Sequence, residues 1–404
     1  MEPAIAVSSK DEEWDSDELE EHDEIEANSE PVDRYDSKLY YPLTIGEVLD
    51  KRYKIVHKLG WGGYSTVWMA HDTREGKYVA LKILTSAKRG HTHGESDVIN
   101  ERLQGRRKSN LVTYHKMFEL PAGKRSHVHR VLVLPLMGPN LDQTCLEMPT
   151  STHMHYRMSA AWQLLLSLKD LHKAKIVHRD LNPGAVMWGM KSLDEYDTTA
   201  IYKHLGQPRQ FDLGRLWKRG DLVKPMTIPE TLREDNIYLG DFGMAIKDDT
   251  AVTTKVQTPT RFCAPERFHK ADPSFASDMW SYMCIFAWLY LGFHPVRGRG
   301  GVQIMSDLVN TLGLLPEQWH GYFKYYDEQG DDGWYDQSRV PVEHETLMSK
   351  VARRQPAVSQ EEQELVVRVF EKVFCYEPTY RWTAAQLLED PDFIDLMGRY
   401  ISIS

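Results

Sequence analysis

Apolar residues change their spacing once along this chain. From Tyr40 to Leu84, the run YYPLTIGEVLDKRYKIVHKLGWGGYSTVWMAHDTREGKYVALKIL alternates β-branched and aromatic residues with polar ones and is broken by glycine clusters. That pattern predicts consecutive antiparallel strands. From Ser151 onward, as in MHYRMSAAWQLLLSLKDLH, apolar positions fall three and four apart, the helical period. A strand-rich amino-terminal lobe followed by a helix-rich lobe is expected. Between Gly189 and about Asn236, a polar, proline-containing stretch with weak periodicity and several turn signals predicts a long surface insertion. The apolar run Met279–Phe293 is too short to span a bilayer and carries Ser281 and Tyr282, so it predicts a buried core helix. We find no internal repeat.

Composition narrows the class. A length of 404 residues suits a two-lobed domain or two domains, with enough chain for a large core. The net charge is −10, but residues 1–32 hold one lysine against thirteen acidic residues, so the tail carries −12 and the remainder +2. Such a block predicts a solvated, disordered arm, placed here at residues 1–38. Cys145, Cys263, Cys284 and Cys375 lie far apart with no C-x-x-C pair, which argues against a disulfide framework or a zinc site and predicts buried thiols. The amino terminus has neither a basic nor an apolar leader region, so the expected location is the cytoplasm or nucleus, without membrane attachment.

Chemistry enters at four places. LGWGGYSTVW, Leu59–Trp68, puts Gly60, Gly62 and Gly63 in a hairpin turn whose backbone N–H groups can approach phosphates with no Cβ in the way. One strand later VALK places Lys82 where an ammonium can pair with phosphates; Glu95 is the candidate carboxylate that holds it, with Glu101 as the alternative. The third place is HRDLNPGA, His178–Ala185, which holds Asp180. The fourth is LGDFGMA, where Asp241 follows a strand-like IYL beside a glycine and offers oxygen ligands to Mg²⁺. APE at Ala264–Glu266, Asp278 in DMWS and Arg381 in EPTYRW follow in order. A small-molecule phosphotransferase with an H-x-D loop is not expected to carry these last three together.

Over about Tyr53–Phe393 the chain resembles the eukaryotic protein kinases, and IGEVLDKRYKIVHKLGWGGYSTVW, with Ser65 in place of a third glycine, is similar to the SR-protein kinase group. The resemblance implies an α+β bilobal protein kinase fold: a small antiparallel-sheet lobe at 39–140, a larger helical lobe at 141–404 containing the insertion at about 189–236, and ATP between them. It implies Lys82 and Glu95 as an ion pair, Asp180 as catalytic base, Asp241 as Mg²⁺ ligand, and Glu266–Arg381 as a structural salt bridge. Leu59, Gly60, Gly62, Gly63, Val67, Ala80 and Lys82 would bind ATP with the hinge LPLMG, where Pro135 contributes a carbonyl and Met137 the N–H donor.

The pattern breaks after Asp180. Asn182 stands where the family has a lysine, and Ala185 where an asparagine would ligate a second Mg²⁺. VQTPTRFCAPE is one residue longer than usual between Thr258 and APE, and Arg179 replaces the threonine common in the SR-protein kinases. Phosphorylation at Thr253, Thr254, Thr258 or Thr260 is therefore open, beside ordinary loop polarity. The acidic segment Tyr325–Asp336, YYDEQGDDGWYD, fits either an Arg-rich substrate or a solvated loop. The expected function is a monomeric serine/threonine kinase that uses MgATP on protein substrates, Arg/Ser-rich ones among them, with reduced turnover and no direct nucleic-acid partner. The alternative is an ATP-binding pseudokinase scaffold.

Overall fold

The computed structural model describes residues 23–88, 100, 102–103, 110–123, 126–145, 154–214, 216–256, 259–298, 301–319, 342–354 and 357–403. The described residues divide into two compact units: those within 1–91, 114–136 and 192–229 form one, and those within 92–113, 137–191 and 230–404 the other.

The first unit is built on a seven-stranded antiparallel sheet: β1 (Val48–Leu49), β2 (Tyr53–Gly62), β3 (Ser65–Asp72), β4 (Lys77–Leu84), β5 (Ala87–Lys88), β6 (Lys116–Pro121) and β7 (His127–Pro135). The order is β1-β2-β3-β4-β7-β5, with β6 also on β7. Side chains alternate across a strand, and the buried set Ile55, Trp68, Ala70, Val79, Leu81, Ile83, Val131 and Val133 fills one face as a single core. The sequence pattern from Tyr40 to Leu84 therefore appears as real strands.

Two segments differ from expectation. Residues 23–38, assigned by composition to the acidic arm, pack on this unit: Ile25, Glu30 and Tyr35 are buried, and a short helix spans Asp33–Asp36. Local charge misled because a few apolar anchors outweigh the solvated acids around them. Residues 1–22 lie outside the described residues. The insertion also joins the sheet unit, with Leu193, Ile201, Leu222 and Val223 buried. Its helix Thr198–Leu205 begins at an Asp197 cap and ends at Gly206, whose φ of 84° suits glycine. The Tyr202 hydroxyl donates to the Val56 carbonyl at 3.1 Å, and the Tyr78 N–H donates to Asp194 at 2.8 Å.

The second unit is helical. Helix α1 (Met154–Lys173) buries Met158, Ala161, Leu164, Leu165, Leu168 and Leu171 at three- and four-residue spacing. Helix α2 (Phe275–Leu291) starts with a reciprocal Ser274–Ser277 capping box, stops at left-handed Gly292, and is buried from Ser277 to Leu291. This is the core helix expected from the apolar run. Among the described residues, no helix is long and apolar enough to cross a membrane. Cys263 and Cys284 are buried, Cys375 half-buried, and burial pushes the Cys284 thiol pKa up.

Candidate active site

In the first unit, β2 and β3 meet at a hairpin whose last pair is Gly62 with Ser65. A side chain at Gly60, Gly62 or Gly63 would meet nothing within 4 Å, and none of the three has the positive φ that requires glycine. Neither packing nor backbone conformation explains these glycines. A turn without side chains at these positions leaves its backbone open to a ligand. Lys82 pairs across the strands with Val67 on one side and Leu132 on the other, so Val67 and Lys82 share a face, with Ala80 two residues along it. That face is opposite the one carrying Val79, Leu81 and Ile83 into the core. Glu95 and Glu101, the two candidates to hold Lys82, lie outside the described residues.

In the second unit, the loop after α1 and the segment around Asp241 are held by backbone bonds. Strand Ile176–Val177 pairs with Ile246–Lys247, and Val186–Met190 with Arg233–Leu239. Between them the His178 ring Nε2 lies 2.9 Å from the Gly240 carbonyl, and the Gly240 N–H donates to the Ala185 carbonyl at 2.9 Å. The His178 ring also packs on Phe242 with centroids 5.3 Å apart. Asp180 is half-buried and Asp241 exposed. Asp241 is in the left-handed region, φ 55°, at the start of a single 3₁₀ turn, a sparsely populated conformation for a non-glycine residue and one found at functional sites.

Asp278, in the first turn of α2, organises this loop. Its carboxylate accepts the His178 N–H at 2.7 Å and the Arg179 N–H at 2.9 Å, and His172 Nε2 lies 3.1 Å from the same group. The carboxylate is buried and sits at the helix end where the dipole favours negative charge. The motif was legible in DMWS; its role became clear only when α2 was seen to start beneath the loop.

Asn182 and Ala185 are both accommodated by the loop. Asn182 Oδ1 accepts the Gly184 N–H at 2.9 Å while its Nδ2 donates to the Asp180 carbonyl at 2.9 Å. Both polar atoms are used on their own loop, which caps the short Pro183–Ala185 turn. Ala185 is buried in the helical core. Its methyl group offers no ligand. Of the two candidate positions, only Asp241 offers carboxylate oxygens that could hold a Mg²⁺.

A family model described as a protein kinase domain matches residues 53–393. This chain belongs to the protein kinase family. It is similar to the serine/threonine-protein kinase SRPK of Physarum polycephalum, at 26% identity over 93% of each chain. It is also similar to the dual specificity protein kinase CLK1 of Mus musculus, at 27% identity over 87% of this chain and 68% of the relative. A solved kinase-domain crystal structure matches with a TM-score of 0.61 at 17% identity, covering 89% of this chain and all of that one, which shows the fold.

In this protein kinase the Glu266–Arg381 pair is formed. The guanidinium meets the carboxylate through two bonds of 2.8 and 2.7 Å, both side chains being almost fully buried. Arg381 also donates to the carbonyls of Cys375, Ala276 and Tyr376. Thr253, Thr254 and Thr260 are described; Thr258 and the acidic segment Tyr325–Asp336 lie outside the described residues. The chain turns from the first unit to the second between Leu136 and Met137, where the Gly138 N–H donates to the Trp188 carbonyl at 2.9 Å. A Cβ at Gly138 would stand 2.8 Å from the Gly189 carbonyl oxygen, so this close approach demands glycine.

Proposed function

We propose that this protein kinase transfers the γ-phosphoryl of MgATP to serine and threonine hydroxyls of protein substrates, at a turnover lowered by its catalytic loop. The observation that carries the proposal is the intact framework around Asp180 and Asp241: His178 on Gly240, Gly240 on Ala185, and Asp278 on the loop backbone. In this assignment the glycine hairpin and Lys82, paired with Glu95, take the ATP phosphates, with Leu59, Val67 and Ala80 beside them. The Pro135 carbonyl and the Met137 N–H take the adenine. Asp180 orients the substrate hydroxyl and accepts its proton. Mg²⁺, when bound at Asp241, neutralises charge on the phosphates. Ala185 cannot orient Asp180, and Asn182 brings no positive charge; by analogy with loss of one preorganised electrostatic group, each lowers the rate by about 10²–10³-fold, without additivity.

Arg/Ser-rich proteins are the proposed substrates, supported by the similarity to SRPK and by the acid-rich sequence Tyr325–Asp336. The pseudokinase reading rests on Asn182 and Ala185. Radiolabelled transfer to Arg/Ser and neutral Ser peptides, with Lys82→Met as control, separates the two. Transfer abolished by Lys82→Met and stronger on Arg/Ser peptides at low salt is expected. MgATP binding without transfer would establish the scaffold instead.

A further inference from the structure

The segment before residue 53 reaches the phosphate hairpin from outside. The Tyr40 hydroxyl donates to the Gly62 carbonyl at 2.7 Å, and Arg34 Nη1 donates to the Gly63 carbonyl at 3.3 Å. Midway along β2, the Met226 N–H of the insertion donates to the Lys58 carbonyl at 2.9 Å. The Lys58 side chain is fully buried against Glu30, which also accepts the Tyr35 hydroxyl. Trp68 lies beneath the ammonium, 5.1 Å from it to the ring centroid. Tyr35, Tyr40 and Ile25 form one apolar cluster with Leu222 of the insertion. A buried ion pair is costly unless its geometry is fixed, so Glu30 and Lys58 set where this strap crosses β2.

The consequence follows from the planarity of the peptide bond. In a trans peptide the C=O of one residue and the N–H of the next point in opposite directions. Holding the Gly62 carbonyl on Tyr40 therefore aims the Gly63 N–H away from the strap, and holding the Gly63 carbonyl on Arg34 does the same for the Tyr64 N–H. Those N–H groups belong to the turn assigned to phosphate binding, so this argument rests on the nucleotide reading given above.

We propose that Tyr40, with Arg34 beside it and the Glu30–Lys58 pair behind it, is a positioning residue for the phosphate-binding hairpin, so that nucleotide affinity depends on a segment outside the kinase domain match. Tyr40→Phe keeps the ring and removes one hydrogen bond. Its KM for MgATP should rise roughly 3- to 10-fold, the worth of one net hydrogen bond, with kcat changed less than about twofold and the peptide KM unaltered. Arg34→Gln should act in the same direction. Amide exchange at residues 60–65 should quicken in both variants. Tyr202→Phe is the control, since it also removes one hydroxyl from β2, at Val56 and far from the turn. It should leave the KM for MgATP and the exchange of 60–65 unchanged. If Tyr40→Phe matches the wild type in both readouts while the wild type binds MgATP, or if Tyr202→Phe shifts them equally, the proposal is wrong and the nucleotide reading stands. A wild type that gives no thermal shift with millimolar MgATP overturns the nucleotide reading, and this proposal with it.

Discussion

The Gly240 N–H donates to the Ala185 carbonyl at 2.9 Å. This bond joins the altered catalytic loop to the residue before Asp241 and uses only backbone, so it is indifferent to the side chain at 185. Ala185 offers no metal ligand, and the loop around it is held all the same. Ala185→Asn should therefore raise the rate of phosphoryl transfer, by up to about 10²-fold, with MgATP affinity nearly unchanged, because a ligand that orients Asp180 acts mostly in the transition state. Single-turnover kinetics beside a nucleotide titration check this. A rate that stays at the wild-type value in a folded variant would count against Asp180 as the base.

Glu266 and Arg381 form a buried bidentate pair, and Arg381 holds three carbonyls besides. Removing one partner leaves an uncompensated charge in the core. Glu266→Ala should cost about 3–5 kcal/mol of stability, and Glu266→Gln clearly less, since the amide still accepts one hydrogen bond. Denaturant unfolding of both variants gives the comparison; equal losses would show that the uncompensated Arg381 charge, which both variants share, outweighs packing and the residual hydrogen bond.

The backbone at Val252 and Thr254 is held by side chains from outside its segment. Arg179 Nη2 donates to the Thr254 carbonyl at 2.8 Å, and Asp272 accepts the Val252 N–H at 2.9 Å while pairing with Lys255. The Lys255 hydrogen bond, helped by the Val252 N–H, holds the Asp272 carboxyl pKa below its ordinary value. A depressed carboxyl pKa means the tether is complete at neutral pH and is lost only as pH falls through the folded value. Phosphatase treatment should leave peptide phosphorylation unchanged, whereas Asp272→Ala should lower kcat/KM for the peptide roughly 3- to 10-fold with the KM for MgATP unaltered. A phosphatase-sensitive rate would show that Arg179 awaits a phosphothreonine.

Much of this arrangement was legible in the sequence because it is local. The strands around LGWGGYSTVW, the apolar helix after DMWS and the order of HRD, DFG and APE each occupy a short window whose residues determine their own geometry. What was hidden depends on distant partners. Glu30 reads as one more acid in an acidic arm, yet it neutralises Lys58, twenty-eight residues later. The insertion looks polar because Leu193, Ile201, Leu222 and Val223 are too scattered to give a period, yet all four are buried. Asn182 was read for the lysine it replaces, and only the fold shows both of its polar atoms engaged by the loop backbone.

His294 gives a pH test. Its ring stacks on Trp288 at 5.4 Å and 10° and meets Phe262 edge-on at 5.3 Å. Burial, with the Arg261 charge adding to it, pushes the imidazole pKa down to about 4 from the ordinary 6.5. Above pH 6.5 the ring is neutral in both folded and unfolded chains, and the group has no effect on the balance. As pH falls from 6.5 toward 4, the unfolded chain takes up the proton and the folded chain does not, so stability is lost over that window. Between pH 7 and pH 5 the loss from this one residue should be about 2 kcal/mol. His294→Phe keeps an aromatic ring for both contacts and removes the titration. Unfolding free energies from denaturant titrations at the two pH values should therefore fall less in the variant than in the wild type, by that amount. If the two proteins lose stability in parallel, the imidazole titrates near its ordinary pKa and is not sealed from water by Trp288 and Phe262.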